Sequence, residues 1–125
     1  MADISSKKVL IVEDEKPLSM AFELKLGKVG VSSKIANNGI EALEILKTEK
    51  FDLIMMDLMM PQMDGFTLLT KLQEQGITTP VVVLTNLSQT EDEKKVKALG
   101  AKDFIIKSNV PIAKIVDRVS QMLAQ

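Results

Sequence analysis

Five short, mostly apolar runs recur along the chain, and each is followed by a segment with helical spacing. The runs cover residues 9–12, 31–36, 53–56, 81–84 and 103–106. Alternation of this kind implies a parallel sheet with right-handed crossovers and helices on both faces. The run at 31–36 is the most polar, so we expect it at an edge of the sheet. The spacing leaves no room for a second domain, and we expect one domain over residues 1–125, with a core from about 8 to 123.

The segments between the runs predict five helices. Pro17 fits the first turn of the first helix, which Gly30 should end. The next two helices are expected from residue 40 to 47 and from about 66 to Gly76, and the fourth from 89 to 99. Few apolar anchors fall in the fourth, so it should be the least firmly held. For the last helix, ending near 123, we expect Asn109 as the N-cap and Pro111 near the first turn.

Composition removes several functional classes. The chain has no cysteine and no histidine, which excludes disulfides, thiolate metal sites, the usual zinc site and a Ser-His-Asp triad. Its net charge of -1 and its 3% aromatic content favour neither nucleic acid nor an anionic membrane as a partner. No apolar run approaches the length of a membrane span, and the N-terminus lacks the apolar core of a signal peptide. We therefore expect a cytoplasmic protein.

Polar side chains suited to chemistry follow four of the predicted strands. Glu13 and Asp14 come after the first, Asp57 ends the third, Thr85 ends the fourth and Lys107 follows the fifth. Parallel strands bring their carboxyl ends to one edge of the sheet, where ligands of such folds bind. Each residue alone also has an ordinary explanation, such as a helix cap or a surface charge. The five together predict a functional site.

The chemistry of these five side chains points to a cation and an anion. Three acids brought together repel one another unless one is protonated or a cation joins them. Oxygen ligands without histidine or cysteine favour Mg²⁺, with Mn²⁺ as the alternative. A lysine and a hydroxyl facing that cation suggest a doubly charged anion, and a phosphoryl group fits well.

Several short motifs resemble the receiver domain of bacterial two-component response regulators, including the single-domain chemotaxis type. They are Val12-Glu13-Asp14, Asp57-Leu58-Met59-Met60-Pro61, Met63-Asp64-Gly65, Leu84-Thr85 and Asp103-Phe104-Ile105-Ile106-Lys107. Their order and spacing cover nearly the whole chain. The resemblance implies a flavodoxin-like, three-layer (βα)5 fold whose parallel sheet has the order 2-1-3-4-5. It also implies a signalling module rather than an enzyme.

The resemblance further implies a role for each site residue. Asp57 would accept a phosphoryl group from a sensor histidine kinase, a phosphotransfer protein or a small donor such as acetyl phosphate. Glu13, Asp14, Asp57 and the backbone carbonyl of Met59 would hold Mg²⁺. Lys107 and Thr85 would contact the phosphoryl oxygens.

The implied switch uses the same residues. Thr85 would move toward the phosphoryl group and Phe104 would swing inward, changing the surface around helix 4, strand 5 and helix 5. A downstream target protein would read that surface. We expect no output domain after Gln125, no nucleic-acid partner and no membrane partner.

Three positions depart from the family pattern. Ser108 stands where a proline after a cis bond is usual, and a cis bond before serine costs roughly 3 kcal/mol. Either Lys107-Ser108 is a strained cis bond, or Lys107 is positioned differently. Asn86 replaces a small residue and can restrict access to Asp57, and Phe104 lacks the hydroxyl of a tyrosine.

The resemblance implies that the residues at positions 59 and 87 influence the lifetime of the phosphoryl group. Met59 and Leu87 lie two residues past Asp57 and Thr85. Because both are apolar, we expect them to exclude an attacking water and to prolong the phosphorylated form.

Three other functions compete with this interpretation. A degenerate receiver would bind partners without phosphorylation, and Ser108 gives that alternative some weight. A haloacid-dehalogenase-like phosphatase needs a second acid where this chain has Met59, and it usually carries a cap domain. A flavodoxin or dinucleotide-binding protein needs a glycine-rich first turn, whereas Glu13-Asp14-Glu15 would repel a pyrophosphate.

Overall fold

The computed structural model describes residues 3–86 and 90–125. Strands and helices alternate from the first element to the last. In chain order they are β1 (Lys8–Val12), α1 (Lys16–Lys28), β2 (Ser32–Ala36), α2 (Gly39–Leu46), β3 (Leu53–Asp57), α3 (Gly65–Glu74), β4 (Val81–Thr85), α4 (Thr90–Ala98), β5 (Asp103–Ile106), a single 3₁₀ turn (Lys107–Asn109) and α5 (Ile112–Leu123).

All five strands pair in parallel, in the order β2-β1-β3-β4-β5. The predicted fold class and the edge position of β2 are both confirmed. After β1 the chain crosses to β2 on one side and returns to β3 on the other. The loops after β1 and β3 therefore diverge, and such a reversal in strand order opens a crevice at the carboxyl ends.

Alternate side chains of the central strands enter two separate cores, which makes the molecule a three-layer sandwich. Leu10, Ile54 and Val83 face the core shared with α2, α3 and α4. On the other side, apolar side chains of the strands pack with α1 and α5. Every residue of β3 and β4 is buried, as expected for strands covered on both faces. This full cover makes Asp57 and Thr85 buried polar residues.

The helix boundaries mostly agree with the sequence predictions. Pro17 lies in the first turn of α1, and Gly30 and Gly76 follow α1 and α3 with positive φ. The predicted start of α4 at residue 89 lies outside the described residues. Within the described part of the chain, no helix is both long enough and apolar enough to cross a bilayer.

The prediction that Asn109 caps the last helix is wrong. Asn109 instead ends the 3₁₀ turn that follows β5, and α5 begins at Ile112. Pro111 is the N-cap residue and makes no side-chain capping bond. Proline presets its own φ, and the Pro111 carbonyl accepts the N–H groups of Lys114 and Ile115 at 3.0 and 3.1 Å, so the first turn closes without a capping side chain.

Candidate phosphoacceptor site

Two hydrogen bonds hold the acidic positions firmly at the sheet edge. The Glu13 N–H donates to the Ala36 carbonyl at 3.0 Å, and the Leu58 N–H donates to the Leu84 carbonyl at 3.1 Å. The sheet's hydrogen bonding therefore continues one residue beyond β1 and one beyond β3. As a result, Glu13 and Asp57 are fixed by the sheet rather than by a loop.

Three carboxylates converge at this edge. Glu13, Asp14 and Asp57 each offer an oxygen, and these oxygens lie within 4.8 Å of one another. Glu13 and Asp57 are buried, whereas Asp14 is exposed. An all-oxygen set of this kind, open to solvent on one side, fits a hard cation that keeps several waters, as Mg²⁺ does. The prediction that strand topology brings these acids together is confirmed.

The Lys107 ammonium lies between the two buried acids. Its Nζ is 3.0 Å from Glu13 Oε1 and 3.2 Å from Asp57 Oδ2, and the side chain is only 9% exposed. Burial alone would lower the pKa of Lys107, but the hydrogen bonds and charges of Glu13 and Asp57 outweigh it and raise that pKa. The lysine is therefore a fixed positive charge facing Asp57.

The Lys107-Ser108 bond is not cis, because the described residues contain no cis peptide bond. Lys107 still reaches Asp57, so the missing proline does not displace the lysine from the site. The 3₁₀ turn that begins at Lys107 redirects the chain directly after β5.

The surroundings of Glu13 strongly raise the pKa of its carboxyl group. Burial is the largest cause, followed by a hydrogen bond with Asp57 and the charge of Asp57, and together they raise the pKa of Glu13 to about 8. Lys107 opposes this shift without cancelling it. Without a cation, Glu13 is therefore mainly protonated at neutral pH, and this proton relieves the repulsion between the two buried acids.

The remaining predicted residues lie on, or directly after, β3, β4 and β5. The Met59 N–H donates to Asp57 Oδ1 at 3.3 Å, while the Met59 side chain is 57% exposed. Thr85 is fully buried at the end of β4, and Phe104 packs partly buried against the core shared with α2, α3 and α4. Asn86 is exposed directly after β4. Leu87 lies outside the described residues, and the switch roles of Thr85 and Phe104 stay predictions.

Two features of the site escaped the sequence analysis. Lys107 binds Glu13 as well as Asp57. The sequence had instead indicated that Lys107 contacts the phosphoryl group and Glu13 the cation. The start of α3 also packs directly on the backbone of the acceptor: a Cβ added to Gly65 would lie 3.1 Å from the Asp57 carbonyl oxygen. Met63-Asp64-Gly65 contributed to the resemblance to receiver domains, but it gave no signal for this contact.

Fold and site together define a doubly wound α/β protein with a carboxylate cluster at its topological switch point. The family model for the response regulator receiver domain matches residues 9–120. The chain therefore belongs to the receiver domain family of two-component systems. Receiver domains are signalling modules that generally bind Mg²⁺ at an acidic pocket and interact with histidine kinases and downstream effectors.

Solved structures support this assignment. The Francisella response regulator 1452 receiver domain shares 33% identity with a TM-score of 0.88, covering 94% of this chain and 97% of that one. The chemotaxis response regulator CheY4 of Vibrio cholerae shares 27% identity with a TM-score of 0.85, covering 93% of this chain and 98% of that one.

The curated relatives are longer proteins. The transcriptional regulatory protein DltR of Streptococcus agalactiae is 38% identical over 100 residues, which is 80% of this chain and 45% of DltR. PhoP of Bacillus subtilis, a transcriptional regulatory protein for alkaline phosphatase synthesis, is 34% identical over 85% of this chain and 44% of its own length. The chain thus spans about half the length of the curated relatives it matches. The absence of an output domain and of a nucleic-acid partner stay predictions.

Proposed function

We propose that this chain is a phospho-accepting receiver in which Asp57 takes a phosphoryl group in a Mg²⁺-dependent reaction. The donor is a sensor histidine kinase, a phosphotransfer protein or a small molecule such as acetyl phosphate. The observation that carries the proposal is the position of Lys107 Nζ, 3.2 Å from Asp57 Oδ2 and beside the carboxylate cluster that Asp57 forms with Glu13 and Asp14. A cytoplasmic location belongs to the same proposal.

In the transfer step, an Asp57 carboxylate oxygen attacks phosphorus and forms a new P–O bond. The bond from phosphorus to the donor's leaving atom breaks, and its electron pair leaves with the donor. Lys107 supplies a fixed positive charge for the equatorial oxygens, which is the stabilisation that phosphoryl transfer needs most. Bound Mg²⁺ would offset the negative charge of donor and acceptor, held by Glu13, Asp14, Asp57 and the Met59 carbonyl.

The proposed output is a change in the surface formed by α4, β5 and α5. Phosphorylation adds negative charge at Asp57, and Thr85 would move toward it while Phe104 swings inward. The weak anchoring of α4 supports this: Val96 is its one fully buried residue within the described part of the chain. A helix held by so few contacts can change position at low energetic cost. A downstream target protein would distinguish the two states.

The alternative function is a degenerate receiver that binds a partner without being phosphorylated. The reason to consider this alternative was that Ser108 replaces the usual proline after Lys107. With a trans Lys107-Ser108 bond, Lys107 still reaches Asp57, and this weakens the alternative. Beryllofluoride with Mg²⁺ separates the two functions, because it binds an intact phosphoacceptor as a phosphoryl mimic. Failure of both acetyl phosphate and beryllofluoride to act at Asp57 would favour the degenerate receiver.

The deciding experiment compares phosphorylation of the wild type with that of Asp57→Asn. Radiolabelled acetyl phosphate and Mg²⁺ should label the wild type and leave the variant unlabelled. Asp52→Asn is the matched control, because Asp52 is an exposed acid beside the opposite end of β3. This control should be labelled like the wild type. A label that persists in Asp57→Asn would overturn the assignment of Asp57.

A further inference from the structure

The Met63-Asp64-Gly65 motif has no role in the function proposed above, yet it lies against the acceptor strand. The Gly65 N–H donates to the Leu58 carbonyl at 2.7 Å, a short bond that closes the loop between β3 and α3. Asp64 caps α3, because its Oδ1 accepts the Thr67 N–H at 2.9 Å. The first turn of α3 is therefore tied to the residue that follows Asp57.

Gly65 is buried, and backbone atoms fill the space that a side chain would need. A Cβ at this position would lie 2.8 Å from Leu58 Cα, 2.9 Å from Leu58 Cδ1 and 3.1 Å from the Asp57 carbonyl oxygen. Two of these three atoms are backbone, so no change of rotamer removes the contact. The φ of Gly65 is not in the left-handed region. Glycine is thus required here for close approach rather than for an unusual conformation.

Gly39 also lies close to the loop between β3 and α3, but there an added side chain would meet a side chain and not the backbone. A Cβ on Gly39, at the start of α2, would meet Met63, with its Sδ at 2.9 Å. Those atoms belong to a flexible side chain that can rotate away. At Gly65, by contrast, either the Asp57-Leu58 peptide or the whole start of α3 must shift.

Leu58 leaves little freedom for that shift. Its side chain is fully buried and its N–H is bound to the Leu84 carbonyl of β4. The Met59 N–H makes only a 3.3 Å bond to Asp57 Oδ1, which a movement of a few tenths of an ångström would break. The most easily displaced part is therefore the turn from Asp57 to Met59.

We propose that Gly65 is a positioning residue for the phosphoacceptor. Its missing side chain lets α3 pack directly on the Asp57-Leu58 peptide, and this packing fixes the direction of the Asp57 carboxylate and of the Met59 backbone. The proposal rests on the phospho-acceptor function of Asp57. A displacement of about 1 Å in a reacting group can cost on the order of 100-fold in rate.

The test compares Gly65→Ala with Gly27→Ala. Gly27 lies in α1 with nothing within 4 Å of an added Cβ, so alanine there adds the same atoms without a contact. Three quantities are measured: hydrogen exchange of the Met59 and Gly65 amides without metal, Mn²⁺ affinity by electron paramagnetic resonance, and the maximal phosphorylation rate at saturating acetyl phosphate and Mg²⁺. Asn38→Ala, which loses the cap of α2, controls for lowered stability alone.

Gly65→Ala should fold, exchange the two amides faster, bind Mn²⁺ more weakly and lower the maximal rate by at least about 10-fold. Gly27→Ala and Asn38→Ala should keep wild-type rates. A Gly65→Ala rate equal to that of the controls would overturn the proposal. So would a chain that fails to fold at low temperature in sucrose, because Gly65 would then serve the fold as a whole.

The amide exchange distinguishes this inference from the proposed function. If the wild type takes no phosphoryl group, the proposed function fails, while the exchange of Met59 and Gly65 still reports whether Gly65 fixes the acceptor turn. Unchanged exchange in Gly65→Ala would overturn the positioning role by itself.

Discussion

Replacing Glu13 with glutamine should change how stability depends on pH. The folded-state pKa of Glu13 is raised from 4.5 to about 8, so the folded protein keeps a proton that the unfolded chain releases. The stabilisation from this proton is fully present below about pH 4.5 and is lost as pH rises through about 8. Glutamine is neutral at every pH and has nearly the shape of the protonated acid. Glu13→Gln should therefore lack this loss.

The magnitude follows from the surroundings of Glu13. A difference of one full proton changes the free energy of unfolding by about 1.4 kcal/mol per pH unit. The pKa of about 8 already includes the opposing effect of the Lys107 ammonium, which lies 3.0 Å from Glu13 Oε1. Over the three pH units between about pH 5 and pH 8, the difference is therefore on the order of 4 kcal/mol. Glu13→Gln should match the wild type at the acidic end and exceed its stability by that amount at the basic end.

The assay is urea unfolding in EDTA, followed by far-ultraviolet circular dichroism because the chain has no tryptophan or tyrosine. Glu15→Gln is the control, since Glu15 is an exposed acid two residues away and should leave the pH slope unchanged. Added Mg²⁺ should stabilise the wild type more at pH 8 than at pH 6, because cation binding releases the Glu13 proton. Equal pH slopes for wild type and Glu13→Gln would refute the reasoning.

Two further predictions concern the acceptor loop and α4. Met59→Asn should shorten the lifetime of the phosphorylated form by about 10-fold, equivalent to ~1.4 kcal/mol, because an amide helps to orient the attacking water. Dephosphorylation kinetics measure this, with Met20→Asn as the control at another exposed methionine; equal or faster loss in the wild type would contradict it. The Lys95 ammonium lies 4.2 Å from the centroid of the Phe66 ring and links α4 to α3. Lys95→Met should remove about 0.5–1 kcal/mol of local stability and speed amide exchange in α4 a few-fold; exchange no faster than in the exposed Lys94→Met control would exclude the link.

The sequence pattern was sufficient to predict the central strands, because their burial on both faces requires apolar side chains at every position. Residues 53–56 and 81–84 are continuously apolar, and short β-branched or apolar runs bounded by turn residues are typical of strands covered on both faces. The prediction failed at the start of α5, where Asn109 offered a capping side chain that the helix does not use. Capping is a weak local preference of about 1 kcal/mol, and Asn109 is instead part of the 3₁₀ turn that directly follows β5.

The sequence alone determined which polar residues follow the strands. Because parallel strands bring their carboxyl ends to one edge of the sheet, Glu13, Asp57 and Lys107 had to lie near one another. Tertiary structure alone decided how they pair. The Lys107 ammonium contacts both acids, and burial beside Asp57 keeps Glu13 protonated near neutral pH. Only the packing of α3 on β3 showed why residue 65 lacks a side chain. Periodicity fixes which face a residue occupies, but distances and desolvation arise only when separate elements meet.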